Sequence, residues 1–439
     1  MECIKKVRRE SSNVKAIRTD SRLTTHDQIM EHYKLIPHLF RTEFRKITAV
    51  LCKYFGIENI QVAEDIASET FLLAVDTWTY KGIPENPTAW LYTVAKNKAK
   101  NYLHRESIFS EKISGEIKRS SEESEELDIN LSVQNITDSQ LQMLFAICHS
   151  SIPSESQIGL ALRILCGFGI DEIANAFLSN RETINKRLFR AKEKLRAGNI
   201  KIEMPGNTEI EERLDTVLTT LYLLFSEGYY SETDNNILRE DLCTEAMRLA
   251  YMLIENEKTN LPKVNALYSL MCFHSSRFAA RKNEKGEMVL YHDQDESLWS
   301  QELIMKGIYF LHEASKGTEL SKYHIEASIG YWHTIKSDSK EKWENILQLY
   351  NKLLVIDYSP IAALNRTYAL SKAKDKEAAI VEAEKLDLTT NHFYFALLGE
   401  LYTDVDNKKA KENFQEAILI AKTETDKQTL KMKLERIKD

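Results

Sequence analysis

Apolar residues recur every three to four positions almost throughout this 439-residue chain, whereas runs that alternate with a period of two are hard to find. Glycine and proline, which interrupt helices, number only 14 and 7. This pattern predicts an all-α fold. The length predicts about three domains, and a hydrophobic fraction of 43% is enough to give each domain a core.

Positive charge is concentrated in one predicted helix of an acidic chain. The net charge is −7, yet residues 181–201 contain eight Lys or Arg and only two Glu. The apolar positions of this helix follow helical spacing, so the opposite face is predicted to be basic; they are Ile184, Leu188, Ala191 and Leu195. We therefore interpret residues 171–196 as a helix-turn-helix whose second helix fits a major groove of DNA.

Charge and hydropathy also restrict the class of protein. Residues 1–201 hold 29 basic and 26 acidic residues, whereas residues 202–439 hold 30 and 40. We expect the first half, and not the second, to face nucleic acid. No apolar run approaches the roughly 20 residues of a membrane span, so we expect a cytoplasmic protein without a membrane partner.

Changes in composition divide the chain into five segments. They are a flexible N-terminal extension (1–30), a first helical domain (31–106), an acidic, serine-rich linker (107–134), a second helical domain with the helix-turn-helix (135–201), and an all-helical C-terminal extension (202–439). Helix starts are predicted at Asp138 and Ser154. A mobile linker would let the two helical domains reach two separated DNA sites.

The C-terminal extension is predicted to consist of helical hairpins. Its first predicted helices are Arg213–Ser226, Arg239–Leu253, Val264–Phe278, Trp299–Ser315 and Tyr323–His333. Tyr350 and Phe414 occupy similar positions 64 residues apart, which is close to twice the tetratricopeptide period of about 34. We expect tetratricopeptide-like repeats from about residue 300, with a protein or peptide partner. An unrelated all-helical domain is the alternative.

Two stretches of the first domain contain residue types used in recognition. Residues 62–76 form an amphipathic helix that, by itself, is typical of an ordinary protein surface. Residues 87–106 combine aromatic side chains with lysines and asparagines. Basic groups hold phosphates, aromatic rings stack on unpaired bases and amides bond to base edges. Composition alone leaves DNA contact and a cationic surface helix equally open.

No pattern of catalytic or metal-binding residues is present. The six cysteines are scattered, without a C-x-x-C pair or a partner histidine at zinc-ligand spacing. The acidic residues and histidines of the extension lack a nucleophile–base pairing, a phosphate-binding glycine loop or an H-E-x-x-H motif. We expect a protein that is not an enzyme and holds no metal and no cofactor.

Taken in order, these features resemble a bacterial sigma factor of the extracytoplasmic-function group of the sigma-70 family. The resemblance covers about residues 35–198 and rests on Ala63-Glu-Asp-Ile-x-x-Glu-x-Phe71, Pro87-x-x-Trp90-Leu-x-x-Val-Ala-x-Asn97, the acidic linker and the helix-turn-helix. Leu221-Tyr-Leu-Leu-Phe-Ser-Glu-Gly-Tyr229 and His292-Asp-Gln-Asp-x-x-x-Trp299 resemble the long C-terminal extension of one subgroup, which carries tetratricopeptide-like repeats.

The resemblance implies a protein that binds RNA polymerase core, recognises the −10 and −35 promoter elements and directs transcription initiation. It implies contacts with core polymerase by Asp65, Glu69, Phe71 and Leu72. It implies contacts with the opened single strand of the −10 element by Trp90, Leu91, Thr93, Asn97, Lys98, Asn101 and Arg105. It implies recognition of double-stranded DNA at the −35 element by Arg181, Glu182, Thr183, Asn185, Lys186, Arg187, Arg190 and Lys194.

Two other classes of protein remain open at this point. A stand-alone helix-turn-helix transcription regulator with a tetratricopeptide-type sensor domain would bind its DNA site without polymerase. A tetratricopeptide scaffold would merely expose the basic helix to solvent. Binding to core polymerase distinguishes the first class from a sigma factor, and specific promoter binding by the holoenzyme excludes the second.

Overall fold

The computed structural model describes residues 22–114, 129–177, 179–229, 239–281, 289, 291–421 and 423–437. Every regular element in these ranges is helical, which confirms the all-α prediction. The chain divides into two compact units, residues 1–220 and 221–439. The division falls inside a helix, and not at the predicted boundary after residue 201.

The first unit is a bundle of helices that extends from the start of the described chain to the division. Its helices are α1 (Arg22–Phe55), α2 (Ile60–Lys81), α3 (Pro87–Ser114), α4 (Val133–Ile147), α5 (Ser154–Leu160), α6 (Ile170–Ala176), α7 (Arg181–Ala197) and α8 (Asn207–Tyr229), which continues into the second unit. A 3-10 turn (Ile57–Asn59) precedes α2, and α5 passes into a π-helical turn (Ala161–Leu165).

The boundaries of the predicted segments differ from the observed helices. Helix α1 begins at Arg22 and not near residue 31, and α3 continues to Ser114, beyond the predicted domain end at residue 106. Helix α4 begins at Val133 because the side chain of Ser132 caps it; Asp138 lies inside the helix. The rest of the predicted extension (1–21) and much of the predicted linker (115–128) lie outside the described residues.

The two helical domains predicted within the first unit pack directly on each other. Helix α1 contacts both α2 and α4, and α7 contacts the 3-10 turn Ile57–Asn59. Hydrogen bonds connect the domains as well: Arg196 donates to the carbonyl oxygen of Glu58 at 2.5 Å, and Lys53 donates to Asn135 Oδ1 at 3.1 Å. The structure therefore shows these domains in a packed arrangement.

Glu64 on α2 is the centre of this packing. Its side chain is only 4% exposed, and its two carboxylate oxygens lie 2.8 Å from Arg163 Nε and 2.7 Å from Lys192 Nζ. Burial opposes the charged form of Glu64, but the two cations outweigh it and lower the pKa of the carboxyl group. Since both cations belong to the second predicted domain, one buried carboxylate holds the two domains together.

Replacing Glu64 by Gln is expected to destabilise the first unit by about 3 kcal/mol, because two cations lose their counter-charge in a buried setting. Hydrogen exchange of peptides from the first unit measures this loss separately from the second unit. The lowered pKa means that charged Glu64 stabilises the fold above its ordinary pKa of 4.5 and that this contribution is lost as the pH falls through the folded-state value.

The matched control is Asp65→Asn, one residue along the same helix. Asp65 is exposed, and among the described residues it accepts a side-chain hydrogen bond from Gln61 alone, so its replacement should change the stability by less than about 0.5 kcal/mol. Equal losses in the two variants at neutral pH would show that Glu64 does not hold the domains together.

The second unit is a succession of helices in which each packs against the next along the chain. They are α9 (Glu240–Glu255), α10 (Pro262–Ser275), α11 (Gln301–Ala314), α12 (Lys322–Trp332), α13 (Lys340–Ile356), α14 (Pro360–Ala373), α15 (Lys376–Glu384), α16 (His392–Tyr402), α17 (Asn407–Ile420) and α18 (Glu424–Glu435). The four helices predicted between residues 239 and 333 lie within three residues of α9 to α12 at either end.

Glycines allow neighbouring helices of the second unit to approach closely. A Cβ atom at Gly307 of α11 would lie 2.6 Å from the ring of Phe273 on α10, and one at Gly399 of α16 would lie 2.8 Å from the ring of Phe414 on α17. Phe414 is one of the two aromatic residues that indicated a repeat, and it is buried. The tetratricopeptide-like character of α13 to α18 stays a prediction.

The half-buried Glu326 of α12 makes the stability of the second unit depend on pH. Burial raises the pKa of this carboxyl group to about 7, and Tyr222 donates a hydrogen bond to it at 3.4 Å. The folded protein therefore holds a proton that the unfolded chain releases, so stability is lost as the pH rises from 4.5 through 7.

Glu326→Gln is expected to stabilise the second unit by about 1 to 3 kcal/mol at pH 8 and to have little effect below pH 4.5. Thermal unfolding across this pH range, read with hydrogen exchange of second-unit peptides, measures the difference. The exposed Glu319→Gln is the control and should show no such pH dependence. A gain in stability that is the same at all pH values would contradict the assignment.

Candidate nucleic-acid interface

Helices α6 and α7 are joined by the short segment 177–180, in the position predicted for the helix-turn-helix. Helix α7 begins at Arg181 because the side chain of Asn180 accepts a hydrogen bond from the backbone N–H of Thr183 at 2.8 Å. Its inner face is buried, as the spacing predicts, and consists of Ile184, Leu188, Ala191 and Leu195. This packing fixes which side of α7 faces solvent.

The outer face of α7 carries most of the residues predicted to read the −35 element. Those exposed are Arg181, Glu182, Thr183, Asn185, Lys186, Arg190 and Lys194. Lys186 lies 2.7 Å from Glu182 in an exposed ion pair, which contributes little stability and leaves both groups available to a partner. The exposed cations of this face make it suitable for contact with phosphates and base edges.

Arg187 differs from the other predicted residues of α7. Its side chain is 27% exposed, lies 3.4 Å from Glu155 of α5, and its guanidinium is 5.8 Å from the ring centre of Phe177. These contacts turn Arg187 towards the body of the unit. Arg187 was predicted to contact the −35 element, but the direction of its side chain depends on Glu155, which the local sequence of α7 does not reveal.

Phe189 is an exposed residue of the outer face that was not predicted to contact DNA. Its side chain is 66% exposed, and it follows Asn185 by four residues, so the two share one side of α7. Helical spacing was the signal that could have identified it. An apolar ring on a DNA-facing helix can contact the C5-methyl group of thymine.

Helix α2 exposes a row of carboxylates with apolar neighbours. Asp65 and Glu69 are exposed and Leu72 is half-buried, but Phe71 is 1% exposed and packs 5.1 Å from Phe40, ring centre to ring centre. Phe71 therefore belongs to the core in this structure, because the apolar stripe of α2 faces α1.

The apolar side chains that a partner of α2 can reach are different ones. Leu73 is 41% exposed and follows Glu69 by four residues, so it extends the carboxylate row. Tyr80 near the end of the helix is 88% exposed. Neither residue was predicted from the sequence, although Leu73 follows Glu69 and Tyr80 follows Asp76 by four residues, which places each on the side of an exposed carboxylate.

Helix α3 presents a second row of polar residues. Thr93, Asn97, Asn101 and Arg105 are all exposed and follow one another at intervals of four, so they lie along one side of the helix. Among the other predicted residues, Leu91 is fully buried and the half-buried Trp90 packs against Trp78 at 5.3 Å between ring centres. These two position the helix.

An ion pair joins the predicted polymerase-binding row to the predicted −10 row. Lys98 Nζ of α3 lies 2.7 Å from Glu69 Oε2 of α2, with 29% and 60% of the two side chains exposed. A pair this accessible to solvent is worth little to stability. Its consequence is geometric, because it places the two surfaces side by side.

Neither a metal-ligand cluster nor a membrane-spanning helix is present in the described ranges of the chain. In the residues that the structure describes, no group of three His, Cys, Asp or Glu is placed to hold a metal ion. None of the described helices is long and apolar enough to cross a bilayer. Five cysteines in these ranges are buried free thiols.

Comparison with known proteins places two domains on this chain. Residues 39–108 match the model of sigma-70 region 2, and residues 213–315 match a family of unknown function, DUF6596. The chain is also 31% identical over 392 residues to Uncharacterized protein R00370 of Rhizobium meliloti (strain 1021), covering 88% of this chain and 92% of that protein. No solved structure matches. The chain thus belongs to the same family as the rhizobial protein, and its residues 39–108 are similar to sigma-70 region 2.

Proposed function

We propose that this protein is a sigma factor of the extracytoplasmic-function group that binds RNA polymerase core, recognises −10 and −35 elements and directs transcription initiation. The observation that carries the proposal is that a sigma-70 region 2, with exposed recognition rows on α2 and α3, shares one unit with the basic outer face of α7. The polymerase performs the chemistry, and this chain has no catalytic role.

The polymerase contact is assigned to the exposed row of α2. Asp65 and Glu69 would meet basic groups of the core enzyme, while Leu72 and the neighbouring Leu73 would supply apolar burial. Phe71 supports this surface from the core, since its ring is almost inaccessible.

The −10 contact is assigned to α3. Thr93, Asn97, Asn101 and Arg105 form the row that would meet an opened strand, with Lys98 beside them. Unstacking a base costs a few kcal/mol, which contacts in a recognition pocket can return. Trp90 and Leu91 act by holding the helix in place.

The −35 contact is assigned to the outer face of α7, with Phe189 added to the predicted residues. Elements centred roughly 10 and 35 base pairs upstream lie about 85 Å apart along B-DNA. A compact unit with the length of the first unit, residues 1–220, is only about 45 Å across. The packed first unit therefore has to open before both elements are engaged. Opening separates Glu64 from Arg163 and Lys192.

Asp65→Lys is expected to weaken binding to core polymerase by about tenfold, because it places a cation where a basic partner surface would dock. Competition for fluorescently labelled core enzyme measures the effect. Glu412→Lys is the control, because it makes the same change of charge at an exposed position of the second unit.

Two results bear on this assignment. Unchanged core binding by Asp65→Lys would remove α2 from the polymerase interface. A chain that binds its DNA site unaided and does not bind core at all would instead be a stand-alone regulator, and the proposed function would be wrong.

Phe189→Ala is expected to reduce promoter affinity of the holoenzyme about fourfold, since one buried methyl contact is worth about 0.8 kcal/mol. Replacing each upstream thymine in turn by deoxyuridine removes its methyl group. One such replacement should weaken promoter binding by the wild-type holoenzyme by a similar factor. The same replacement should not change promoter binding by the Phe189→Ala holoenzyme. Phe393→Ala, which removes a ring 46% exposed in the second unit, is the control. If the loss of affinity from Phe189→Ala adds to the loss from deoxyuridine at every thymine, Phe189 does not contact a thymine methyl group.

A further inference from the structure

Two segments of the second unit that promoter recognition leaves unused are connected through a single arginine. Arg277 Nη2 donates to the hydroxyl of Tyr229, at the end of the segment 221–229, at a distance of 3.2 Å. The guanidinium of Arg277 also lies 5.4 Å from the ring centre of Tyr291, and the ring of Trp299 stacks on Tyr291 at 6.1 Å. Segments about 70 residues apart in sequence thus converge around Tyr291.

Cations and aromatic rings alternate through this region, which we name the Tyr291 cluster and define as Arg277, Tyr291, Gln294, Trp299 and Lys342. Lys342 is 1% exposed, and its ammonium donates to the hydroxyl of Tyr291 at 3.2 Å and lies 5.4 Å from that ring centre. The ring of Tyr291 therefore has a cation contact with both Arg277 and Lys342. A cation over the face of an aromatic ring is attracted by the negative charge of that face.

The two cations of the Tyr291 cluster have no direct counter-charge among the described residues. No carboxylate oxygen of the described residues lies within 4.0 Å of Arg277 or Lys342. The acidic neighbours are engaged elsewhere: Asp338 accepts a hydrogen bond from Trp343, and Glu296 lies 3.9 Å from Lys336. Burial lowers the pKa of Lys342, and Asp338 opposes that change. A buried ammonium without a paired anion is costly.

Three polar atoms of the Tyr291 cluster are also buried without a hydrogen-bond partner. They are Arg277 Nε, Trp299 Nε1 and Gln294 Oε1. Trp299 and Gln294 are each only 4% exposed. Since more than about nine in ten buried polar groups are paired in folded proteins, such a concentration around one ring indicates a partner that belongs there. Two of the atoms are donors and one is an acceptor.

We propose that the Tyr291 cluster is a binding site for a small oxyanion that also carries a hydroxyl group, of which hydrogen phosphate is the simplest. The oxyanion would neutralise Arg277 and Lys342 and accept from the two unpaired N–H groups. Its hydroxyl would donate to Gln294 Oε1. The site is separate from promoter recognition, so each proposal can fail without the other.

The experiment is a calorimetric titration of the full chain with sodium phosphate and, separately, sodium sulfate at matched ionic strength and about pH 8. Both anions carry two negative charges there, but only phosphate has a hydroxyl. Phosphate is expected to bind at least tenfold more tightly than sulfate. Arg277→Gln should weaken phosphate binding at least tenfold, and Gln294→Leu should make the affinities for the two anions equal.

Lys306→Gln is the matched control, because Lys306 is an exposed cation of the same unit whose ammonium lies 5.8 Å from the ring centre of Tyr251. It should bind phosphate like the wild-type chain. Since Arg277→Gln also removes a hydrogen bond to Tyr229, Lys342→Met provides a second variant, in which an apolar side chain of similar length replaces the buried cation. Circular dichroism verifies that each variant is folded.

The proposal is overturned if phosphate binds no more tightly than sulfate to the wild-type chain, or if the folded Arg277→Gln and Lys342→Met variants keep its affinity. A Lys342→Met chain with higher thermal stability, together with a wild-type chain that does not bind phosphate, would identify the cluster as purely structural.

Discussion

The carboxylate of Glu64 is the interaction on which the first unit depends. It lies almost fully buried between Arg163 and Lys192, so the cost of removing three charges from water is offset only while all three stay together. Helix α2 supplies the carboxylate, and the second predicted domain supplies both cations. A charged network of this kind favours one specific arrangement, because any displacement leaves a buried group unpaired.

The recognition surfaces follow from helical geometry in most places and from long-range contacts in the rest. On α7, the buried stripe from Ile184 to Leu195 left the basic face outside, as its spacing predicted. Arg187 is the exception, because Glu155 from another helix draws it inward. On α2, the apolar stripe faces α1, so Phe71 is in the core and Leu73 is at the surface. Periodicity identifies a helix and its two faces, but the neighbouring helix decides which apolar residues are covered.

In the second unit, too, local spacing predicts the helices, whereas contacts between residues far apart in sequence decide how they pack. Helices α9 to α12 lie where the sequence pattern placed them, because each has its own apolar periodicity. The closeness of α10 to α11 depends on Gly307, whose missing side chain admits the ring of Phe273. The Tyr291 cluster depends on contacts between segments that are far apart in sequence. Gln294 and Trp299 belong to a motif of the sequence, but nothing in the sequence indicated that Arg277, Tyr291 and Lys342 lie beside them.

The sequence by itself determined the all-helical fold class, the positions of α9 to α12 and which face of α7 is basic. These properties depend on residues three or four positions apart, whose relation is set by the helix. Only the tertiary structure decided that the two domains of the first unit pack around Glu64, that Arg187 turns inward and that Arg277 and Lys342 both contact Tyr291. Such contacts join residues far apart in the chain, and local spacing carries no information about them.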